Sequence, residues 1–141
     1  MTASVLDSWA VIGWLQGEVP ARGIVRELLE RAARGETKVS ISLINVGEVF
    51  YLIAKRHGAA PAERFLADLG TMPIQALLPD RRLILAAARL KSRYPISYAD
   101  AFAVETAREQ RAILVTGDPE LRQLTKQEPI ELLWAGKKQA P

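Results

Sequence analysis

The chain of 141 residues contains no cysteine and one histidine, His57. No disulfide, zinc–thiolate site or thiol nucleophile is therefore available, which fits a reducing cytosol. The apolar runs fall far short of the roughly 18 residues that a membrane span requires, and the N-terminus lacks the basic and apolar blocks of a signal peptide. These absences predict a cytoplasmic protein without a membrane segment. His57 precedes Gly58 at the end of a predicted helix, a position typical of a helix C-terminus.

The length and the 49% hydrophobic content suit one compact domain with a buried core. We expect this domain over residues 1–134 and a polar, frayed tail over residues 135–141. The net charge of +3 permits a polyanionic partner without requiring one. Clusters of basic residues are either solvated helix faces or, if the fold gathers them, a surface for nucleic acid. The clusters are Lys55 and Arg56; Arg81 and Arg82; Arg89, Lys91 and Arg93; Arg108 and Arg111; and Lys137 and Lys138.

Short apolar segments alternate with amphipathic ones along the chain. Strands are predicted at residues 3–6, 39–43, 72–78, 112–115 and 130–134, and helices at residues 9–15, 21–33, 45–57, 61–69, 81–94 and 97–109 and after Pro119. In the second strand, Val39, Ile41 and Leu43 alternate with serines, as in a half-buried strand. Parallel strands need helical crossovers, so the order predicts an α/β fold, a three-layer α/β/α sandwich around a parallel sheet of about five strands.

Four acidic residues stand where a predicted strand gives way to a turn or helix, or in the helix that follows: Asp7, Glu48, Asp100 and Asp118. The carboxyl ends of parallel strands open onto one edge of the sheet, where open α/β folds bind ligands. Asp100 reaches that edge only if the helices at residues 81–94 and 97–109 form a paired crossover between two strands.

Each acid also has a simpler interpretation as a helix cap. Asp7 and Asp118 directly precede predicted helices, as N-caps do. Two pairs have the three-residue spacing of a capping box: Asn45 with Glu48, and Ser97 with Asp100. Caps do not require acids at all four positions, because Ser, Thr and Asn serve equally well. The joint pattern therefore favours a shared function.

Clustered carboxylates repel one another, by roughly 3 kcal/mol for a pair about 5 Å apart at an effective dielectric near 20. Such a cluster persists if it takes up protons, if basic side chains intrude, or if a divalent cation binds. Oxygen ligands without nearby His or Cys favour Mg2+, or Mn2+, over zinc. A metal of this kind activates water for attack on a phosphate, so the sequence predicts phosphodiester hydrolysis without a protein nucleophile.

Four segments that carry the acids resemble the four motifs of the PIN domain family. They are VLDS at residues 5–8, NVGEV at 45–49, SYADAF at 97–102 and LVTGDPEL at 114–121. Their order and spacing match across nearly the whole chain. The chain size and the last two motifs look most like the VapC toxins of toxin–antitoxin pairs.

The resemblance implies a metal-dependent endoribonuclease with an RNA substrate, usually a homodimer, blocked by a cognate VapB-like antitoxin. Asp7, Glu48 and Asp100 match the acids that hold the main metal, and Asp118 matches a more variable fourth acid that supports it or a second ion. Thr116 matches a hydroxyl residue beside that acid, and we expect it to position substrate or water.

Smaller features near the motifs complete the comparison. Ser8 and Asn45 match polar positions near the site. Gly47 lies inside a predicted helix next to Glu48, where glycine costs roughly 1 kcal/mol of helix stability relative to alanine. A glycine at this position predicts close packing of another element against the helix. Trp9 and Trp14 lie close to Asp7 and are either core residues or a surface for an antitoxin or a second subunit.

Several alternatives stay open. A housekeeping RNA-processing nuclease fits the motifs as a toxin does, and so does a catalytically silent RNA-binding or scaffold module, although retention of four acids argues against the latter. Haloacid-dehalogenase-like phosphatases need a second Asp two residues after the first, where this chain has Trp9. Receiver-like domains need an acidic pair and a lysine that are not found after the corresponding strands.

Overall fold

The computed structural model describes residues 2–137. In chain order the elements are β1 (Thr2–Leu6), α1 (Ser8–Leu15), α2 (Ala21–Ala33), β2 (Thr37–Ser42), α3 (Leu43–His57), α4 (Ala59–Leu69), β3 (Gln75–Leu77), α5 (Arg81–Arg93), α6 (Tyr98–Gln110), β4 (Ile113–Thr116), α7 (Pro119–Leu124) and β5 (Leu132–Trp134). Within residues 2–137, none of these helices combines the length and hydropathy needed to cross a membrane.

The five strands form one parallel sheet in the order β3-β2-β1-β4-β5. The central strand β1 pairs with β2 on one side and β4 on the other, so that Leu6 lies between Ile41 and Val115. The chain first builds outward from β1 to β3 and then returns to place β4 on the opposite side. The strand order therefore reverses between β1 and β4, the position where open α/β sheets form a binding crevice.

Two hydrophobic cores cover the two faces of the sheet. Side chains of Leu6, Ile41 and Val115 join α1, α2, α3 and α4 on one face. Val5 and Leu114 join α5, α6 and α7 on the other. Neighbouring residues of one strand point to opposite faces, so each core takes alternate positions of β1 and β4. The predicted three-layer α/β/α sandwich is confirmed.

The second strand differs from its prediction at both ends and on both faces. It begins at Thr37, and Val39, Ser40, Ile41 and Ser42 are all buried. The expectation of a half-buried strand is wrong because helices cover both faces of the sheet. Leu43 is instead the first residue of α3, with an exposed side chain.

The start of α3 also corrects the expected capping box at Asn45. Ser42 is the N-cap, and its hydroxyl accepts a hydrogen bond from the Ile44 amide at 3.2 Å. Asn45 lies within the helix and is fully buried. Asn45 is therefore not a cap, and Asn45 and Glu48 do not form a capping box.

The segment after β5 is packed at its beginning. Ala135 is fully buried, and its amide donates to the Thr116 carbonyl at 2.8 Å. The Trp134 ring is so close to Gly136 that a Cβ there would lie 2.6 Å from it. The expected frayed tail is therefore wrong at Ala135 and Gly136, and residues 138–141 lie outside the described residues.

Candidate metal centre

Asp7 lies directly after β1 and performs two structural tasks. Its Oδ1 accepts a hydrogen bond from the Ala10 amide at 2.8 Å, which caps α1. Its Oδ2 accepts a hydrogen bond from the hydroxyl of Thr116 at the end of β4. The side chain is 1% exposed. The capping interpretation is thus correct for Asp7, and the cap also holds a carboxylate at the point where the strand order reverses.

Thr116 connects Asp7 to the next acid in the site. It is fully buried, and its hydroxyl accepts from the Asp118 amide at 3.0 Å while donating to Asp7. Asp118 in turn caps α7 by accepting from the Glu120 amide at 2.9 Å. The hydroxyl hydrogen of Thr116 is used within the protein. This favours a role in positioning the two acids over the substrate or water contact expected from the sequence.

Asp100 reaches the site through the paired crossover, since α5 and α6 both lie between β3 and β4 in the chain. Ser97 caps α6, and its hydroxyl accepts from the Asp100 amide at 3.0 Å. Asp100 is therefore held in the first turn of α6, and the side chain is 8% exposed. The expected crossover and the Ser97 cap are both confirmed.

Asn45 links the three helices that carry or adjoin the acids. Its side-chain amide donates to the Ser8 hydroxyl at 3.0 Å and to the Ala99 carbonyl at 3.2 Å. Glu48 follows three residues later and therefore lies on the same side of α3, half-buried. The Asn45 clamp fixes α1, α3 and α6 relative to one another, and with them Asp7, Glu48 and Asp100.

The electrostatics of the acids show how closely they approach. Burial, with a smaller contribution from the charges of Asp118 and Glu48, raises the pKa of Asp7 to about 7 against the lowering effect of its hydrogen bonds to Thr116 and Ala10. Burial also raises the pKa of Asp100 above its usual range, together with the charge and side-chain contact of Asp118 and the charge of Asp7. The four predicted acids therefore interact as one cluster.

Glu120 is a fifth acid that the sequence reasoning missed. Carboxylate oxygens of Asp100, Asp118 and Glu120 all lie within 4.8 Å of one another. Glu120 stands in the first turn of α7, two residues after Asp118, beyond Pro119. An acidic residue in the first turn of a helix is common for dipole reasons alone, and that hid its proximity to the site.

The donor set fits a hard divalent cation. Within residues 2–137, none of the ion pairs involves any of the five acids. Basic side chains therefore do not neutralise the cluster, which leaves proton uptake or a cation. Buried carboxylates with raised pKa values and no His or Cys ligand are the chemistry that Mg2+ or Mn2+ prefers.

The basic clusters divide between different parts of the surface. Arg108 stands eight residues beyond Asp100 on α6, about 12 Å along the helix at 1.5 Å per residue, and it pairs with Glu105 and Glu128. Lys55 and Arg56 lie in the last turn of α3. The ion pairs of Arg108 and the helix-end position of Lys55 and Arg56 favour structural and solvated roles for these residues. Lys138 lies outside the described residues.

The two tryptophans near Asp7 pack against the first core. The Trp9 ring lies directly against Gly117, in the turn that leads to Asp118, and leaves no space for a Cβ there. Trp9 is therefore partly buried against the first core and supports the turn that leads to Asp118. At Gly47, in contrast, a Cβ would meet no atom within 4 Å, so the close packing expected at Gly47 is wrong.

Comparison with known proteins gives one family and many related folds. The family model of the PIN domain matches residues 4–127, a range that contains all five acids. A search of curated proteins found no match.

Three solved structures illustrate the likeness of fold. One is VapBC from Salmonella typhimurium bound to DNA, with a TM-score of 0.73, 15% identity and coverage of 94% of this chain and 98% of that chain. Another is VapBC2 from Rickettsia felis bound to a promoter DNA fragment, with a TM-score of 0.72, 13% identity and coverage of 94% of this chain and 98% of that chain. A third is VapC20 from Mycobacterium tuberculosis, described as a toxin that cleaves the sarcin–ricin loop. Its TM-score is 0.68 at 15% identity, with coverage of 85% of this chain and 93% of that chain.

Proposed function

The chain belongs to the PIN domain family, and we propose that it is a divalent-metal-dependent endoribonuclease, the toxin of a VapBC-type toxin–antitoxin pair. The observation that carries the proposal is the cluster of Asp7, Glu48, Asp100 and Asp118. Asp7 and Asp100 are buried and the other two are half-buried, and the cluster has no ion-pair partner within residues 2–137. A cluster with this charge is costly unless a cation neutralises it, and that cost supports a metal-dependent reaction.

In this proposal Asp7, Glu48 and Asp100 hold the main cation, and Asp118 with Glu120 supports it or a second ion. When bound, the cation supplies activation of water and neutralisation of charge on the phosphate. The chain contributes the arrangement of the ligands. Burial is the main cause that raises the pKa of Asp7 to about 7, so this carboxyl is partly protonated at neutral pH and would hold a cation in its ionised form.

We propose an antitoxin as the protein partner. Related folds include VapBC from Salmonella typhimurium and a toxin–antitoxin complex from Klebsiella pneumoniae. This chain offers an apolar groove of about 250 Å3 between α1, α3 and α4, lined by Ile12, Leu15, Leu52 and Phe65. The groove also contains Arg56 and Arg64, which favour an antitoxin segment with apolar anchors and acidic neighbours.

We also propose a homodimer as the working form. Exposed apolar side chains on and before α5 support it: Leu78 is 80% exposed, and Ile84 and Leu85 are 38% and 37% exposed. Sedimentation velocity of wild type and Leu85→Glu measures this directly. A monomer in both samples at micromolar concentration would contradict it.

Induced expression in a bacterial host tests the proposed function. Wild type is expected to arrest growth and to produce RNA fragments, and Asp100→Asn to do neither. Asp80→Asn is the matched control, because Asp80 caps α5 through the Leu83 amide as an exposed Asp outside the cluster. Arrest that survives in Asp100→Asn, or arrest without RNA fragments, would contradict the proposal.

A further inference from the structure

A second concave surface borders the acidic cluster. It has a volume of about 320 Å3 and lies between the segment that precedes Asp100 and the segment that follows Asp118. Tyr94, Pro95 and Ile96 line one side, and residues of α7 together with Gln127, which follows α7, line the other. We call it the Tyr94 pocket. The helix caps and the Asn45 hydrogen bonds hold the acids in place without this pocket, so its presence needs a separate explanation.

The Tyr94 pocket is continuous with the cluster through one side chain. Glu120 lines the pocket, and its carboxylate lies within 4.8 Å of those of Asp100 and Asp118. Both walls stay beside the acids because the chain between them is short: three residues separate Ile96 from Asp100, and Pro119 directly follows Asp118. A ligand in the pocket therefore lies directly next to a group bound at the cluster.

The lining combines flat apolar rings with side-chain amides. Tyr94 is half-buried, and the rings of Pro95 and Pro119 extend the apolar surface. Gln123 and Gln127 are exposed at the pocket, and each amide offers both a donor and an acceptor. Proteins bind single-stranded bases with this pairing of stacking surface and edge-reading polar groups.

The volume of the Tyr94 pocket narrows the class of ligand that it can bind. The volume is near the lower end of the roughly 300–1,000 Å3 of small-molecule sites, which suits one base better than a duplex. Arg93 lies beside the pocket with its guanidinium 5.9 Å from the Tyr94 ring centroid, and it pairs with the Glu128 carboxylate at 3.3 Å. Its charge is already engaged within the protein, so the stacking surface and the two amides carry the recognition.

We propose that the Tyr94 pocket binds one unpaired nucleobase of the RNA substrate, adjacent to the phosphodiester at the acidic cluster. The inference rests on the proposed ribonuclease function and adds to it a subsite that selects the base. Tyr94 stacks on the base, and Gln123 and Gln127 read its edge. An antitoxin side chain is the competing occupant, and the tests below separate the two.

Photo-crosslinking tests occupancy without cleavage. Asp100→Asn protein is mixed with Mg2+ and single-stranded oligoribonucleotides that contain 4-thiouridine or 6-thioguanosine, and crosslinked peptides are located by mass spectrometry. Crosslinks are expected in residues 93–97 or 119–127, and they are expected to fall about tenfold or more in the double variant with Tyr94→Leu, since base–aromatic stacking is lost. Crosslinks confined to other segments, or unchanged by Tyr94→Leu, would overturn the inference.

Sequencing of cleavage sites in a random RNA pool tests base selection. Gln123→Ala and Gln127→Ala change exposed residues, so both variants are expected to fold. At least one is expected to lose the base preference at one position beside the cut, with about a tenfold lower kcat/KM on the preferred RNA. Gln110→Ala, an exposed glutamine at the far end of α6, is the control. Identical cleavage profiles in wild type and both variants would overturn the subsite.

The two assays fail in different ways. If wild type cleaves no RNA in Mg2+, the proposed function fails, and crosslinks in the pocket still support base binding there. If wild type cleaves and its profile does not depend on Gln123 or Gln127, the ribonuclease stands and the subsite is wrong. If RNA crosslinks are absent from residues 93–97 and 119–127 while an antitoxin peptide crosslinks there, the peptide is the occupant and the inference is wrong.

Discussion

The hydroxyl of Thr116 donates a hydrogen bond to the carboxylate of Asp7, a residue 109 positions earlier in the chain. Both side chains are buried, at 0% and 1% exposure. Because the same hydroxyl accepts from the Asp118 amide at 3.0 Å, one threonine ties two acids together across β1 and β4.

Thr116→Val removes this connection while keeping the shape of the side chain. The buried Asp7 carboxylate then loses one of its two donors and keeps the Ala10 amide, and we expect a loss of about 1–3 kcal/mol in the free energy of unfolding. We also expect weaker Mg2+ binding, by roughly 10- to 100-fold, because supporting hydrogen bonds orient metal ligands. Chemical denaturation and calorimetric Mg2+ titration measure both. Thr116→Ser keeps the hydroxyl and is the control; equal behaviour of the two variants would refute the connection.

The raised pKa of Asp7 makes the stability of the metal-free protein depend on pH. Unfolded Asp loses its proton near 3.8 and the folded group near 7, so the folded state binds more protons between these values. Stability therefore falls as pH rises across this interval, and Asp100 acts in the same direction. At about 1.4 kcal/mol per pKa unit, the Asp7 contribution is of the order of 4 kcal/mol.

Asp7→Asn isolates this contribution, because Asn also caps helices but does not ionise. We expect the variant to be more stable than wild type at pH 8 in EDTA and similar to it at pH 4. Saturating Mg2+ is expected to raise the melting temperature of wild type and to leave that of the variant nearly unchanged. A wild-type stability in EDTA that rises between pH 5 and pH 8 would contradict the direction of the shift.

Gly47→Ala is expected to stabilise the protein by about 0.5–1 kcal/mol. Gly47 lies inside α3, and a Cβ there meets no atom within 4 Å, so the substitution gains helix propensity without a clash. Gly117→Ala is the contrasting variant, since its Cβ would collide with the Trp9 ring. Thermal melts compare the two. A lower melting temperature for Gly47→Ala would show that the glycine has a role that its surroundings do not reveal.

Leu15→Glu is expected to weaken neutralisation by the antitoxin while leaving RNA cleavage intact. The change removes an apolar contact from the groove of α1, α3 and α4 and places a negative charge where we propose acidic residues of the antitoxin, and like charges across an interface repel. Co-expression with an antitoxin, sought among the reading frames next to the gene for this chain, measures growth rescue. Leu66→Glu is the control, since Leu66 is 40% exposed against 44% for Leu15 but does not line the groove. Equal rescue of both variants would place the antitoxin elsewhere.

The sequence predicted the layers and the crossover well because both follow from periodicity and chain order. The alternation of strands and helices required a parallel sheet, and the position of Asp100 required that α5 and α6 cross together between β3 and β4. Local patterns were less reliable. Leu43 alternates with the serines of β2, yet the Ser42 cap starts α3 there, because the capping hydroxyl outweighs the periodicity.

Features that depend on tertiary distances were beyond the sequence. Glu120 looked like an ordinary first-turn acid, and its closeness to Asp100 depends on how α6 and α7 approach. Asn45 looked like a cap, but its contacts with Ser8 and Ala99 join residues 37 and 54 positions apart. Thr116 was expected to position substrate or water, whereas its use as a bridge between two acids requires the pairing of β1 with β4.

RNA cleavage by purified protein during a Mg2+ titration tests the metal-dependent nuclease most directly, with calorimetry on the same samples. Wild type and Asp80→Asn are expected to cleave single-stranded RNA in proportion to Mg2+ bound and to stop in excess EDTA. Asp100→Asn is expected to cleave RNA at least about 100-fold more slowly and to lose most of the heat of Mg2+ binding. Cleavage that continues in excess EDTA, or that Asp100→Asn retains, would contradict the assignment of these acids as the metal centre.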